Sequence, residues 1–498
     1  MTSFTDLYFG MADAKNEAIN ETQAFIDSFV DNRNAVSDIR SRKKFLLLGP
    51  KGCGKTALAR YLELTADPVT EFVNVRDIGD LPLAEVEKLK TGEEQSLGRT
   101  ITSWRLLLLC AILDLILKDQ SSSLHGNREV ERVVTELRKH GFMDPTPSRA
   151  VITASKTTLK LPIPKFGEVY ARESTSTVDL YHLVPFLEKW VLENQSDNSY
   201  LIALDGLDSI YLNDPRFAVV ISSLMQATYS LHQRLRSAES PAHIILLVRN
   251  DIFTRLHLAD AGKMRRDLGI DLDWRILSGQ PERAPLFRLI NQKSVALISE
   301  KPFDVVGRYF DKDVELGGRQ GAPRWVNTFQ YLLQLTRHTP RDLLQLFEHI
   351  RIVADSPEFQ TYPNGKLTPE IIREGVLQYS SKYFVDAIQN ELVGKSGAGF
   401  DSDLVSHGLS ALRHLPRRTF TAKSFIEELY GDKPSHADQK AAETLLRWFF
   451  FAGAIGNKRA GSEQSYMQFY HRREETEVYL KGDLVLHNAL VYAWSIHW

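Results

Sequence analysis

The sequence predicts an α/β fold in which helices cover both faces of a parallel β-sheet. Three short apolar runs support this prediction, at residues 45–48, 200–204 and 243–248. Continuous apolar runs of this length are typical of strands buried on both faces, as in parallel sheets. Each run ends in glycine or in a polar residue, at the edge where open α/β sheets place their binding sites.

The composition limits the architecture and the partners. At 498 residues the chain is long enough for about three domains. The net charge of −2 gives no overall attraction to nucleic acid or to anionic membranes, so such binding would need a local patch. Two cysteines, Cys53 and Cys110, are too few for a disulfide framework or a zinc site, and we expect a reducing, cytoplasmic environment.

The longest apolar run predicts a buried core helix. It covers residues 106–117, is interrupted by Asp114, and is shorter than the ~20 residues that a membrane-spanning helix needs. The first ten residues are polar and aromatic and lack the pattern of a signal peptide. We therefore expect no membrane partner.

Residues 49–56 match the phosphate-loop pattern G-x-x-x-x-G-K-[ST] at every fixed position. A strand entering this loop and a helix leaving it would direct backbone N–H groups and the positive helix end at phosphate oxygens. We expect Lys55 to reach the β- and γ-phosphates of ATP and the Thr56 hydroxyl to bind Mg²⁺. The alternative is a glycine-rich turn that happens to carry a lysine. The predicted nucleotide-binding residues are Gly49, Pro50, Lys51, Gly52, Cys53, Gly54, Lys55, Thr56 and Ala57.

The second apolar run ends in Asp205, which we expect to hold Mg²⁺ opposite Thr56, directly or through water. Many P-loop ATPases place a second acid immediately after the first to orient the attacking water, but this chain has Gly206 there. The nearest further acid is Asp208, which either acts as the catalytic base or caps the helix that follows. The sequence therefore predicts an ATPase with slow turnover.

Two arginines are candidates to detect the γ-phosphate. Arg249 follows the third apolar run. If the strand formed by this run lies between the strands formed by the other two, Arg249 would face the γ-phosphate. An equally favoured alternative is an arginine at the end of its strand that points into solvent. Further along, Thr339 as N-cap and Pro340 at the first helical position predict a helix start. Arg341 lies in the first turn of that helix, where it could reach back to phosphate.

Three domains are predicted: an ATPase core at 1–283, a helical lid at 284–394 and a winged-helix-like domain at 395–498. The β-prone residues near 150–177 predict an inserted β-hairpin or loop, because two prolines in a short run exclude a central strand. Residues 395–399 form the clearest linker. Helical patterns at 404–415, 421–430 and 437–452 precede a hairpin pattern at 454–470, an order typical of a winged helix.

A winged helix usually indicates DNA binding, but charge weakens that interpretation here. Residues 395–498 contain 13 Lys and Arg against 12 Asp and Glu, whereas neutralisation of phosphate supplies much of the affinity for DNA. A local basic wing could still form from Lys458, Arg459, Arg472 and Arg473. Contact with a protein is the preferred interpretation.

With these motifs placed, the chain resembles the STAND and origin-recognition-like branch of P-loop ATPases, close to AAA+ proteins. It is most similar to a bacterial family that begins with a Phe-Gly turn, carries Gly-Pro-Lys-Gly-x-Gly-Lys and ends in a winged helix. The resemblance implies these roles: Lys55 as phosphate ligand, Thr56 as Mg²⁺ ligand, Asp205 as Walker B acid, Arg249 as strand sensor and Arg341 as lid sensor.

The resemblance also implies a biological role. Members of this branch are typically switches in which the nucleotide sets the angle between core, lid and winged helix, and so controls assembly as a homo-oligomer or with a protein effector. Some act in DNA replication and others in defence against phage. No toxin, nuclease or TIR-like module is visible in the sequence, so an effector would be a separate partner. The alternative function is a DNA-binding regulator or replication initiator tuned by ATP.

Overall fold

The computed structural model describes residues 2–78, 97–139, 142–143, 158–161, 176–207, 215–256, 258–275, 283–316, 324–392, 402–459, 466–472 and 477–497. It comprises two compact units. The sheet unit consists of Arg33–Pro50 and Lys55–Leu272; the helical unit consists of Met1–Asn32, Lys51–Gly54 and Asp273–Trp498. The predicted linker at 395–399 and most of the predicted insertion at 150–177 lie outside the described residues.

The strands of the described residues are β1 Leu46–Gly49, β2 Glu71–Asp77, β3 Thr158–Leu161, β4 Ser176–Asp179, β5 Ser199–Asp205, β6 Ala242–Arg249, β7 Gly269–Asp271, β8 Asp313–Leu316, β9 Arg324–Asn327, β10 Thr419–Thr421, β11 Ile455–Arg459, β12 Tyr466–Gln468 and β13 Asp483–Leu486.

The helices of the sheet unit and of the N-terminal segment are α1 Ala14–Asn20, α2 Thr22–Asp27, α3 Ala35–Arg40, α4 Lys55–Leu64, α5 Leu97–Ile116, α6 Arg128–Lys139, α7 Leu180–Glu193, α8 Pro215–Ser237, α9 Asn250–Arg255 and α10 Ala261–Leu268. Those after residue 272 are α11 Pro285–Lys293, α12 Val305–Tyr309, α13 Thr328–Leu333, α14 Pro340–Ala354, α15 Pro369–Gln378, α16 Val385–Leu392, α17 Ser402–His414, α18 Ala422–Tyr430, α19 His436–Ala452 and α20 Asn488–Ala493. A π-helical turn, Tyr379–Phe384, joins α15 to α16.

A five-stranded sheet organises the sheet unit. Its strand order is β2-β5-β6-β1-β7 and every neighbouring pair is parallel. All eight residues of β6 are buried, which requires cover on both faces of the sheet. The three apolar runs of the sequence form β1, β5 and β6, so the predicted α/β fold with a parallel sheet is confirmed in this unit.

The apolar run at 106–117 lies almost wholly in α5, whose side chains are part of the buried core of the sheet unit. Its one acid, Asp114, is surrounded by three cations: Arg76 at 3.7 Å, Lys118 at 3.2 Å and Arg138 at 3.4 Å. This pairing explains how a carboxylate is accommodated beside the core. In the described part of the chain, no helix has both the length and the apolar character needed to cross a membrane.

The N-terminal segment packs within the helical unit. Phe9 is fully buried and contacts the rings of Phe4 and Phe347 at centroid distances of 5.5 and 5.3 Å. Lys293 of α11 donates to Glu17 at 2.6 Å, and both side chains are almost fully buried. A buried ion pair of this kind fixes one arrangement of α1 against α11, since removing either partner would leave a buried charge unpaired.

The last part of the helical unit contains an antiparallel sheet of order β10-β13-β11-β12. Helices α17, α18 and α19 precede the β11–β12 pair in the order that the sequence predicts. The lid and winged-helix interpretations of residues 284–498 stay predictions.

Candidate functional site

Four strand ends meet at one edge of the sheet. The register places Asp77 beside Asp205, at the ends of β2 and β5, and Gly49 beside Arg249, at the ends of β1 and β6. Because all these strands are parallel, their carboxyl ends form a common edge, which is where open α/β sheets bind ligands. Strand β6 lies between β1 and β5, the position that the sequence predicts for the Arg249 strand.

The loop after β1 has a backbone that only glycine adopts easily. Gly52 and Gly54 have φ angles of +79° and +96°, in the left-handed region. A Cβ added at Gly54 would meet no heavy atom of the described residues within 4 Å. Helix α4 begins directly after the loop, at Lys55. A turn of this form entering a helix of 10 residues presents backbone N–H groups to an anion.

Lys55 is 6% exposed, and its ammonium group lies against the start of the loop. Its Nζ donates to the carbonyl oxygens of Gly49 and Pro50, at 3.1 Å each. An anionic phosphate oxygen is a stronger acceptor than a neutral carbonyl. A bound phosphate would therefore compete effectively for this ammonium group.

Thr56 and Asp205 are in direct contact. The Thr56 hydroxyl donates to Oδ2 of Asp205 at 2.6 Å, and the backbone N–H of Gly206 donates to Oδ1 at 2.8 Å. The structure thus brings the loop threonine to the strand-end acid, although they are 149 residues apart in the chain.

The oxygens of Thr56 and Asp205 fit a Mg²⁺ site. Ligands at ~2.1 Å from an octahedral Mg²⁺ place neighbouring oxygens about 3 Å apart, close to the observed contact. No cluster of three or more His, Cys, Asp or Glu among the described residues could hold a metal by itself. Magnesium sites often use only one or two protein oxygens and complete the octahedron with water and phosphate.

Arg249 is 7% exposed and is already paired. Its Nε and Nη2 donate to the two carboxylate oxygens of Asp251, both at 2.9 Å. Such a bidentate pair fixes the guanidinium plane. A role for Arg249 in phosphate binding would therefore require the guanidinium to turn from Asp251 or to share its donors.

Arg341 lies beside the middle of the loop, within the helical unit. Thr339 caps α14 and Pro340 is its first residue, as the sequence predicts. The backbone N–H of Arg341 donates to the carbonyl of Gly52 at 3.2 Å. A Cβ at Gly52 would lie 3.1 Å from the Arg341 Cβ. Glycine at position 52 therefore permits the close approach of α14 to the loop.

Two further contacts hold the loop in the helical unit, and no sequence pattern predicts either of them. The indole N–H of Trp274 donates to the carbonyl of Cys53 at 2.8 Å, and Lys51 Nζ donates to the carbonyl of Asn390 at 3.4 Å. Trp274 is 221 residues from Cys53. No motif connects such distant positions, so only the fold identifies them.

The remaining candidate residues are Asp208 and the basic residues predicted for the winged helix. Asp208 and Arg473 lie outside the described residues. Arg472 stacks over the Phe469 ring at 5.2 Å, and burial lowers the pKa of its guanidinium. Arg459 of β11 lies over the Tyr479 ring at 4.3 Å.

Together these features define an α/β protein with a five-stranded parallel sheet, in which strand β1 is followed by a glycine-containing turn and helix α4. The chain is similar to the crystal structure of Cdc6p from Pyrobaculum aerophilum, at 12% identity over 90% of this chain and 93% of that chain, with a TM-score of 0.31. It is also similar to the Aeropyrum pernix Orc1 protein, solved in complex with DNA, at 9% identity over 94% and 93%, with a TM-score of 0.39. No protein-family model and no curated protein matches the sequence.

Proposed function

We propose that this protein binds Mg–ATP at residues 49–57 and hydrolyses it slowly, as an ATPase that works as a molecular switch. The main support is the 2.6 Å hydrogen bond from Thr56 to Asp205. It joins the motif threonine to a strand-end carboxylate, the pair of oxygens that a P-loop enzyme uses for Mg²⁺. In this proposal Lys55 binds the β- and γ-phosphates, and bound Mg²⁺ neutralises phosphate charge.

The switch proposal is supported by contacts inside the helical unit. Residues 51–54 of the loop are held there by Arg341 of α14, by Trp274, and by the Asn390 carbonyl of α16. A change in loop conformation on nucleotide binding would alter these contacts, and a ligand shifts an equilibrium when it binds two states differently. Arg341, and Arg249 once released from Asp251, are the proposed γ-phosphate sensors.

The nucleotide proposal is tested with Lys55→Ala. Affinity for Mg–ATP is measured by titration with a fluorescent ATP analogue, and hydrolysis by phosphate release. We expect the variant to bind at least about 10-fold more weakly, a loss of ~1.4 kcal/mol. The matched control is Lys118→Ala, which removes an exposed lysine from a surface ion pair of the same unit. Equal affinity in wild type and Lys55→Ala would contradict the proposal.

A protein partner is the proposed output of the switch, in keeping with the phage-defence setting that the resemblance implies. The alternative is a DNA-binding regulator, for which Lys458 and Arg459 on β11 are the described basic residues. Arg472 supports that alternative poorly, because its guanidinium stacks over the Phe469 ring and burial lowers its pKa. The mass of the protein in solution with and without Mg–ATP tests assembly. Salt-dependent binding of duplex DNA that is lost in the Lys458→Ala, Arg459→Ala double variant would favour the alternative.

A further inference from the structure

Asp77 occupies the space that a side chain at position 206 would need. Strands β2 and β5 are parallel neighbours, and Asp77 is the register partner of Asp205. A Cβ added to Gly206 would lie 2.2 Å from Oδ1 and 2.7 Å from Cγ of Asp77. Contacts this short do not occur, so the Asp77 carboxylate takes this position only because residue 206 is glycine.

This arrangement explains the missing second acid. In P-loop ATPases with a second acid directly after the strand-end aspartate, that second acid stands at the position of Gly206, and its side chain begins at the Cβ of that position. Here the Asp77 carboxylate lies at that point, delivered by the neighbouring strand. The glycine at position 206 and the carboxylate of Asp77 are thus two parts of one structural arrangement.

Asp205 itself is a poor candidate for the base, because the proposed function uses its carboxylate, beside the Thr56 hydroxyl, to hold Mg²⁺. Oδ2 accepts from the Thr56 hydroxyl and Oδ1 from the Gly206 N–H. Asp77 is exposed at the end of β2, where water can reach its carboxylate.

We propose that Asp77 is the general base of ATP hydrolysis, an inference that rests on the proposed ATPase function. A water oxygen forms a bond to the γ-phosphorus, and the Asp77 carboxylate accepts a proton from that water. The bond between the γ-phosphorus and the bridging oxygen breaks, and ADP leaves with the electron pair. Inorganic phosphate is the second product, and Asp77 returns its proton to solvent.

The test separates binding from chemistry. In Asp77→Asn, we expect the single-turnover hydrolysis rate to fall by about 10²-fold or more, within the range for removal of a general base. The affinity for Mg–ATP should stay within about 2-fold of wild type, since the γ-phosphate contacts are retained. The control is Glu71→Gln, at the opposite end of β2, about 20 Å away at the rise of a strand. It should change neither quantity.

A second variant, Gly206→Ala, tests the position of the Asp77 carboxylate and not its chemistry. Gly206→Ala leaves both acids in place but forces the Asp77 carboxylate to move, so we expect it to slow hydrolysis as well. This variant decides the question if Asp77→Asn fails to fold. A wild-type rate in either folded variant, or loss of Mg–ATP binding in Asp77→Asn, would overturn the role of Asp77. If Lys55→Ala abolishes hydrolysis while Asp77→Asn does not, the ATPase proposal stands and this inference fails; if the wild type hydrolyses no ATP, both fail.

Discussion

The hydroxyl of Thr56 and the carboxylate of Asp205 are 2.6 Å apart, linking the start of α4 to the end of β5. Strand β6 separates β5 from β1, the strand that leads into the loop. The contact therefore joins elements whose strands are not neighbours in the sheet. In the proposed Mg²⁺ site this pair supplies two oxygen ligands, whose contributions to binding can be measured separately.

Thr56→Ala should weaken binding of ATP in the presence of Mg²⁺ by about 10-fold, or ~1.4 kcal/mol, because one metal ligand is lost. Thr56→Ser keeps the hydroxyl and should bind nearly as tightly as wild type. Titrations with Mg²⁺ and with EDTA distinguish a metal ligand from a phosphate ligand. An equal loss of affinity in both conditions would contradict the assignment of Thr56 to the metal.

Much of the sheet and of the loop was predictable because the signals are local. Strands β1, β5 and β6 are continuous apolar runs, and the loop is a motif of eight adjacent residues. The start of α14 follows from Thr339 and Pro340, whose cap chemistry acts over one turn. Where the physical cause lies within a few residues, the sequence reveals it.

Other features depend on register and on long-range contacts. Asp77 lies beside Asp205 only because β2 pairs with β5 in one register, and its exact position depends on the +81° φ angle of Gly206. Arg249 turns to Asp251, two residues away, although its strand position alone left it free to face a ligand. Tertiary packing determines the strand register and these side-chain pairings, and local sequence patterns do not encode it.

Gly52→Ala and Gly54→Ala should have different effects, although both glycines have positive φ. Alanine in this region costs roughly 1–2 kcal/mol in either variant. The Gly52 Cβ would also lie 3.1 Å from the Arg341 Cβ, whereas the Gly54 Cβ would enter open space. We expect Gly52→Ala to lower the thermal midpoint more, and Gly54→Ala to lower ATP affinity more because its methyl group enters the proposed phosphate space. Equal effects on both measurements would contradict this interpretation.

Asp342 should be the most sensitive residue at the start of α14. It is fully buried, accepts from Arg337 Nε and Nη2 at 2.8 Å each, and accepts from the Tyr383 hydroxyl at 3.0 Å. Burial opposes its ionisation, but the charge and hydrogen bonds of Arg337 hold the Asp342 pKa below its usual value. Asp342→Ala leaves the guanidinium buried without this partner and should cost about 3–5 kcal/mol of unfolding free energy.

The control for Asp342→Ala is Tyr383→Phe, which removes one hydrogen bond from the same group and should cost about 1–3 kcal/mol. Urea unfolding followed by circular dichroism measures both variants. If Asp342→Ala is no more destabilising than Tyr383→Phe, the Arg337–Asp342 ion pair contributes less to the free energy of unfolding than its geometry indicates.

Two buried histidines make the sheet unit sensitive to acid. Burial lowers the pKa of His243 to about 3, helped by the neighbouring His232, and burial lowers the pKa of His232 to about 4, helped by the positive charge of Arg236. The two rings are 5.8 Å apart, and His243 Nε2 lies 2.6 Å from the Lys44 carbonyl oxygen. Both side chains are therefore neutral in the folded protein at pH 5, whereas unfolded histidine, with a pKa of about 6.5, is mostly charged there.

His243→Gln should make stability less dependent on pH. Because the folded pKa is lowered, the unfolded state binds more protons below pH 6.5, and the wild type should lose stability as pH falls from 7.5 to 5. Each such histidine lowers the free energy of unfolding at pH 5 by roughly 2 kcal/mol relative to its value at pH 7.5. Glutamine can still donate to the Lys44 carbonyl but cannot titrate in this range, so the loss between the two pH values should shrink by about that amount. The exposed His125→Gln is the matched control, and the same pH dependence in both variants would show that His243 does not cause it.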